Sequence, residues 1–344
     1  MIGKTNIMDL AAHQLSCWLA ERGIAAYRSA QIRRWVYQRQ ADSFAAMTDI
    51  GKPLREQLDA AFTIGRLQQI RVEQSRDGSR KFLFGLGDGS RIESVLIPER
   101  GHWTLCISSQ VGCALGCRFC ATARRGLLRN LTQGEIIAQV RDIRQRLDDP
   151  GRLTNIVLMG MGEPLANFDN VVGALDVLLD SSEGFGFAGR RITLSTAGLA
   201  PQLDALGSRV PVNLAVSLNA TENRTRDWLM PINKTYPIES LLEACRRYRL
   251  RPHRRITFEY ILIKGVNDSE ADALRLARLL HPVKAKINLI PFNPHPGSQL
   301  LRPTEAVIEA FLRVLIDHHY TAIIRRSKGQ DISAACGQLY GAEP

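Results

Sequence analysis

The chain of 344 residues contains no apolar run approaching the ~18 residues that a membrane helix requires. Its start also lacks the basic segment and long apolar core of a secretory signal. These absences predict a cytoplasmic protein with no membrane partner. There is no internal repeat and no low-complexity tract, which argues against a solenoid. Acidic residues are the scarcer charge, 34 Asp and Glu against 45 Lys and Arg, and the net charge of +11 suits a polyanionic partner. A merely basic soluble surface is the alternative. The seven cysteines are an odd number with four in one short segment, which speaks against a secreted disulfide framework and for metal or redox chemistry. With 45% hydrophobic residues, the chain has enough apolar material for a packed core.

Apolar residues at three- and four-residue spacing predict a helix over residues 8–20, with Cys17 in it as a buried small hydrophobe. After Gly23, residues 27–39 interleave Arg28, Arg33, Arg34 and Arg39 with Tyr27, Trp35 and Tyr37. That pattern suits a nucleic-acid surface, or equally an amphipathic helix with Ile32, Trp35 and Val36 inward. A third helix is expected over residues 53–62. The period then changes: residues 71–75, 81–86 and 91–97 read as strands separated by turns at Asp77-Gly78 and Asp88-Gly89, a small β-ribbon between the helical front and the main body. Beyond the cysteine segment, strands predicted at residues 156–159, 191–195, 212–217, 255–263, 285–290 and 321–324 alternate with helices at 132–147, 170–179, 238–248, 269–280 and 304–318. Such alternation implies a parallel sheet, doubly wound or a full or partial barrel, with functional residues at the carboxyl ends of its strands.

Cys113-x3-Cys117-x2-Cys120 supplies three thiols from one loop. A cubane iron-sulfur cluster normally takes four protein thiolates, so three would leave one iron open to a small molecule. The alternative is structural zinc completed by Cys106 or a histidine, although the usual paired x2 hooks are absent. Gly160-Met161-Gly162-Glu163-Pro164 follows a predicted strand. Its glycines would let backbone approach a ligand and Glu163 would meet an ammonium, or the segment is only a tight turn. Ser195, Ser217-Leu218-Asn219 and Asn293 follow later strands, where small polar groups bind a nucleoside and carboxylate or cap strand ends. Cys336 sits in the small-residue stretch Ala334-Ala335-Cys336-Gly337, which gives a thiol access.

The cysteine motif, with Phe119 before Cys120, resembles the signature of radical S-adenosylmethionine (SAM) enzymes. The wider chain is similar to the RlmN/Cfr family of RNA adenine methyltransferases. The resemblance runs through Ser108-Ser109-Gln110-Val111-Gly112-Cys113, residues 126–130, Met159 to Pro164, Leu194-Ser195-Thr196-Ala197-Gly198, Pro231-Ile232-Asn233 and residues 334–339. It implies an α/β fold: a partial (β/α) barrel of the radical SAM type over residues 101–344, a β linker over 69–100 and an N-terminal helical, RNA-binding accessory domain over 1–68. It implies one [4Fe-4S] cluster on Cys113, Cys117 and Cys120, and SAM held by Gly162, Glu163, Ser195, Ser217, Leu218, Asn219 and Asn293. By the same resemblance Cys336 accepts the methyl group, Cys106 resolves the product through a disulfide with Cys336, and Glu93 is the general base. Position 219 departs from the histidine expected in the family, and Cys245 has no match and is expected to be structural.

The implied activity is methylation of an adenosine carbon, C-2 in 23S rRNA with tRNA as a second substrate, and C-8 as the alternative within the family. A reductant such as flavodoxin or ferredoxin and a monomeric state go with it. Basic residues flank the motifs at Arg118, Arg124, Arg125 and Arg129, at Arg246, Arg247, Arg249, Arg251, Arg254 and Arg255, and at Arg325, Arg326 and Lys328. Some of them would neutralise RNA phosphates, and the others would simply be solvated. A reading from a different class is a zinc-stabilised RNA-binding module without catalysis.

Overall fold

Three short helices form the front of the molecule in the computed structural model, which describes residues 4–341. They are α1 (Ala12–Ala20), α2 (Tyr27–Tyr37) and α3 (Lys52–Ala61). Two minimal strands, β1 (Thr5–Asn6) and β2 (Phe62–Thr63), pair in parallel and close this unit. On α1 the inward residues are Leu15 and Leu19. Cys17 lies two positions from each, on the opposite side of a 3.6-residue turn, and is exposed instead of buried.

The arginines and aromatics of α2 are largely consumed in docking. Ile32, Val36 and Tyr37 enter the core. The buried Arg33 pairs with Glu183 at 2.8 Å and Asp180 at 3.4 Å, and Arg34 Nε donates to Ser182 O at 3.0 Å. Trp35 stays half-buried, because its indole N–H reaches out to Asp49. From the other side Arg141, fully buried on α5 (Gln133–Arg144), donates to Val36 O and Ala41 O and pairs with Asp42. A guanidinium without solvent must find such acceptors, so this contact fixes the front against the body.

The body is one ten-stranded sheet. Strands β3 (Gln68–Gln74), β4 (Arg80–Gly85), β5 (Arg91–Glu99) and β6 (His102–Cys106) form an antiparallel meander. The ribbon expected between front and body is thus hydrogen-bonded into the body's own sheet, because β6 pairs in parallel with β9 (Leu153–Leu158). Then follow β10 (Ile192–Thr196), β11 (Asn213–Ser217), β12 (Ile256–Leu262), β13 (Ala285–Pro291) and β14 (Ala322–Ile324), each parallel to its predecessor and in chain order. A doubly wound sheet would reverse its order at a switch point, whereas unbroken order is the arrangement of a (β/α) barrel. The barrel is open, since β14 and β3 end the sheet.

Helices α5, α6 (Phe168–Leu179), α7 (Ala200–Arg209), α8 (Asn223–Leu229), α9 (Ile238–Arg247), α10 (Glu270–Leu280) and α11 (Glu305–Asp317) join the parallel strands. The α7 and α8 segments carry too few apolar residues to announce themselves: α7 buries only Ala200, Leu203 and Leu206, and α8 is only 7 residues long. Along β12, Ile256, Phe258, Tyr260 and Leu262 are fully buried, while the alternate Thr257, Glu259 and Ile261 line the barrel's interior cavities. Thr193, Ser195, Ser217 and Asn288 on neighbouring strands do likewise. The apolar half of each strand packs under helices, and the polar half is left for a site. No helix among the described residues is long and apolar enough to cross a membrane.

Candidate active site

The cysteine loop is closed by a two-stranded clamp. Strand β7 (Gln110–Gly112) pairs antiparallel with β8 (Leu127–Asn130), and Cys113 N donates across its base to Gly126 O at 2.9 Å. Inside the loop Cys120 N donates to Cys117 O at 3.1 Å, and the short α4 (Ala121–Arg124) follows. Cys113, Cys117 and Cys120 line one cavity at the carboxyl ends of the strands. Burial pushes the Cys113 thiol up to about 12 and raises Cys117 well above its ordinary value, with the neighbouring cysteines adding to both. Burial thus favours the protonated thiols, and a bound metal cation would supply the positive charge that releases their protons. The donor set therefore fits a thiolate-ligated cluster. No group of three or more Cys, His, Asp or Glu among the described residues is arranged to hold a single metal ion.

Gly160 and Gly162 have a local task first. A Cβ on Gly160 would meet Ile107 O at 2.7 Å, and one on Gly162, whose φ is +98°, would meet Gln110 Cβ at 2.5 Å. The glycines let the turn after β9 lie on the segment that enters the cysteine loop. Glu163 is held there in a fixed pose: its N–H donates to Gln110 Oε1 at 2.8 Å, while its carboxylate accepts from Leu165 N at 3.0 Å and Ala197 N at 2.7 Å. Burial raises its pKa. A buried carboxylate lining the thiol cavity is placed to receive a cation such as an ammonium.

Gly162, Glu163, Ser195 and Ser217 line the cavity of the three thiols; Leu218, Asn219 and Asn293 do not. Leu218 is packed away completely. Asn219 adopts a left-handed backbone with φ +58°, accepts from Ile261 N at 2.8 Å and lies 3.2 Å from Met230 sulfur, so its amide is already engaged. Asn293 Nδ2 donates to Cys336 O at 3.1 Å and so supports the Cys336 loop.

That loop is stapled to the cysteine loop. Ala121 N donates to Gly337 O at 2.7 Å, and Thr122 Oγ1 to Leu339 O at 2.6 Å. Gly337 has φ +84°, and a Cβ there would lie 3.0 Å from Phe119 O. Cys106 ends β6, buried, and its electrostatic neighbours are Cys336, Arg325 and Glu259, not the three loop thiols. Both thiols are free. Burial raises both, Cys106 to about 12, and Arg325 opposes the rise in each. The four-thiol segment is divided: three sulfurs line one cavity, while the fourth, Cys106, is absent from that lining and has Cys336 among its electrostatic neighbours.

Glu259, and Arg325 as its partner, join the site without having been expected there. Ser195 Oγ donates to Glu259 Oε2 at 2.9 Å, and Arg325 Nη1 lies 3.5 Å from Glu259 Oε1. The available signal was the lone carboxylate in the apolar run of β12. Glu93 is buried, not an exposed strand carboxylate: it accepts from Tyr340 N at 2.7 Å and Gly341 N at 2.9 Å and pairs with Lys81 at 3.4 Å. Several flanking arginines are occupied. Arg129 pairs with Glu135 and Asp88, Arg247 with Glu243 and Asp204, and Arg254 donates to Pro211 O.

Residues 107–277 match the radical SAM superfamily, and residues 5–64 match the ribosomal RNA large subunit methyltransferase N-terminal domain. The chain is 58% identical over 97% of its length to the dual-specificity RNA methyltransferase RlmN of Desulfosudis oleivorans, covering 90% of that protein. It is 53% identical over 98% of its length to the RlmN of Geobacter sulfurreducens, covering 92% of it. The crystal structure of a radical SAM methyltransferase from Sphaerobacter thermophilus superposes with a TM-score of 0.92 at 45% identity, over 98% of this chain and 100% of that one. With a cysteine loop, a clamped carboxylate and a thiol pair arranged as described, the chain belongs to the RlmN family of radical SAM RNA methyltransferases.

Proposed function

We propose that this enzyme methylates carbon C-2 of adenosine in 23S rRNA and in tRNA through a methylated Cys336. The observation that carries the reading is the position of Cys336 where two cavities adjoin. It lines the cavity of the three loop thiols, and with Arg325 and Met159 it also lines the polar lumen that opens at the amino ends of the strands. Arg190, Arg191, Lys286, Arg326 and Lys328 line that second opening, as a polyanion would require. The close similarity to RlmN proteins over nearly the full chain supports RNA and the C-2 product.

Cys113, Cys117 and Cys120 would hold the cluster, and Gly162, Glu163, Ser195 and Ser217 would hold SAM against it. When bound, this pair supplies the methyl group and the carbon radical that the poorly nucleophilic C-2 position demands. The chain's residues do the rest. Cys336 takes the methyl group on sulfur and carries it to the base. Glu93 removes the proton from the methylated carbon. Cys106 attacks the sulfur of Cys336, so that the S–S bond forms as the bond from that sulfur to the base-borne methylene breaks; the carbon keeps the electron pair and takes up a proton to become the methyl group, and the disulfide left behind must be reopened by a reductant before the next turnover. Asn293 positions the Cys336 loop, and Asn219 holds the β11 and β12 ends in register where the family has histidine.

The helical front would contribute RNA binding through the face it does not use in docking. A flavodoxin- or ferredoxin-type donor would dock by the cysteine loop, where Arg118 stacks over the exposed Trp228 at 5.0 Å. The enzyme would act as a monomer. Nucleoside mass spectrometry of RNA from cells with and without the gene tests the reading, with loss of 2-methyladenosine expected. Loss of 8-methyladenosine instead would overturn the C-2 assignment, and loss of neither would overturn the activity.

A further inference from the structure

The loops that lead from α9, α10 and α11 into β12, β13 and β14 meet on one rim at the amino ends of the sheet, because the three strands are parallel neighbours. Between them runs an open groove of about 720 Å³. It shares no lining residue with the thiol cavity or with the lumen. Its walls carry Arg251, Arg254, Arg255 and Lys284 with His253 and His319, and no Asp or Glu among the described residues lines it. A smaller hollow adjoins it across the loops before β11 and β12 and adds Arg209 and Arg249.

Part of this charge is committed locally and part is not. Arg246 and Arg247, at the end of α9, face Glu243 and Asp204. In the groove Arg254 Nη1 donates to Pro211 O at 2.9 Å and Arg255 Nη1 to Thr321 Oγ1 at 2.9 Å, which holds both side chains in place and neutralises neither. The side chains of Arg251 and Lys284 are exposed and have no hydrogen-bond or ion-pair partner among the described residues. Cations crowded without a counter-charge repel one another, so the groove is stabilised when an anion enters it.

The kind of anion follows from what the walls lack. Tyr320, the aromatic residue of the groove, is half-buried with its hydroxyl donated to Ala277 O at 2.8 Å, so no exposed ring is left on which a base could stack. Cationic side chains without stacking partners hold phosphates and read no sequence. We infer that the groove is a phosphate-backbone site for a base-paired part of the RNA, outside the lumen where the adenosine would meet Cys336. Lys286, two residues beyond Lys284, lines the lumen opening, so groove and opening lie on one rim. The inference rests on the RNA-methyltransferase reading and adds the surface that lets one enzyme accept rRNA and tRNA, since helical backbone geometry is what the two share.

The test measures binding of the reconstituted holoenzyme to a tRNA transcript, to a 23S rRNA fragment and to an RNA duplex of arbitrary sequence. The double variant Arg251→Gln, Lys284→Gln should lose about tenfold in affinity for all three and reduce the slope of log K against log salt by about 2, one for each phosphate contact. The charge-conserving exchange Arg251→Lys, Lys284→Arg should keep the wild-type slope. Unfolding midpoints equal to that of the wild type would tie the loss to the groove. An unchanged slope in the double variant, or a loss confined to one of the three RNAs, would overturn the backbone site and leave the methylation reading standing. Failure of the wild type to methylate either natural RNA would overturn the reading beneath it. Binding of phosphatidylglycerol vesicles through these two residues, with RNA affinity unchanged in the double variant, would assign the groove to a membrane surface and overturn the RNA assignment.

Discussion

Gly112 and Gly126 face each other across the clamp that closes the cysteine loop, with φ of +76° and +73°. Alanine at either position incurs the left-handed penalty of about 1–2 kcal/mol. Their surroundings differ. A Cβ on Gly126 meets nothing within 4 Å, whereas one on Gly112 would sit 1.8 Å from Gly126 O. Contact between such atoms is comfortable near about 3.5 Å, so the carbonyl must retreat by more than about 1 Å. Retreat breaks the 2.9 Å bond from Cys113 N to Gly126 O, at about 1 kcal/mol, and leaves an overpacked clamp at about 1–3 kcal/mol more. Gly112→Ala should therefore cost about 3–6 kcal/mol and Gly126→Ala only about 1–2 kcal/mol. Because Cys113 is the residue displaced, the cost should appear in metal binding as well as in folding. Iron per chain after anaerobic reconstitution, together with the urea midpoint of the apoprotein, measures both. Gly126→Ala is expected to keep its iron, and Gly112→Ala to lose most of it. Equal behaviour of the two variants, or a Gly112→Ala protein with wild-type iron and midpoint, would refute the steric argument.

Three other outcomes are expected. Cys106→Ala should stall with protein covalently joined to RNA, visible as a slow band on a denaturing gel; normal release of methylated RNA would remove Cys106 from the resolving role. Arg33→Ala should leave Glu183 and Asp180 half-buried without their cation and destabilise docking of the helical front by about 2–3 kcal/mol, below the full cost of a buried pair because both acids are partly solvated. Limited proteolysis should then cut the front first. Burial pushes the Cys245 thiol up to about 12 from an ordinary 9.0, so above pH 9 the unfolded chain releases a proton that the folded chain retains, and stability falls as pH rises toward 12. Cys245→Ala apoprotein should lose stability less steeply over that window, by about 1.4 kcal/mol per pH unit, in urea titrations.

What is local is legible in the chain. Three thiols at x3 and x2 spacing must come from one loop, and alternating strand and helix patterns must build parallel strands whose ends carry Glu163, Ser195 and Ser217. The tertiary structure decided what depends on which way a side chain faces. Arg33 and Arg34 look like a basic surface in the chain, but folding turns them onto Glu183, Asp180 and Ser182. Leu218 and Asn219 are neighbours of Ser217, yet the pleat and the left-handed turn at Asn219 take them out of the cavity that Ser217 lines. Cys106 reads with the loop cysteines because it is near them in sequence, but its place at the end of β6 keeps it out of the cavity they line and among Cys336, Arg325 and Glu259 as electrostatic neighbours. Glu259 on β12 and Arg325, the residue after β14, meet only inside the curled sheet. Periodicity fixes which residues share a face; curvature of the sheet fixes what that face encloses, and that second fact is written in no single stretch of the chain.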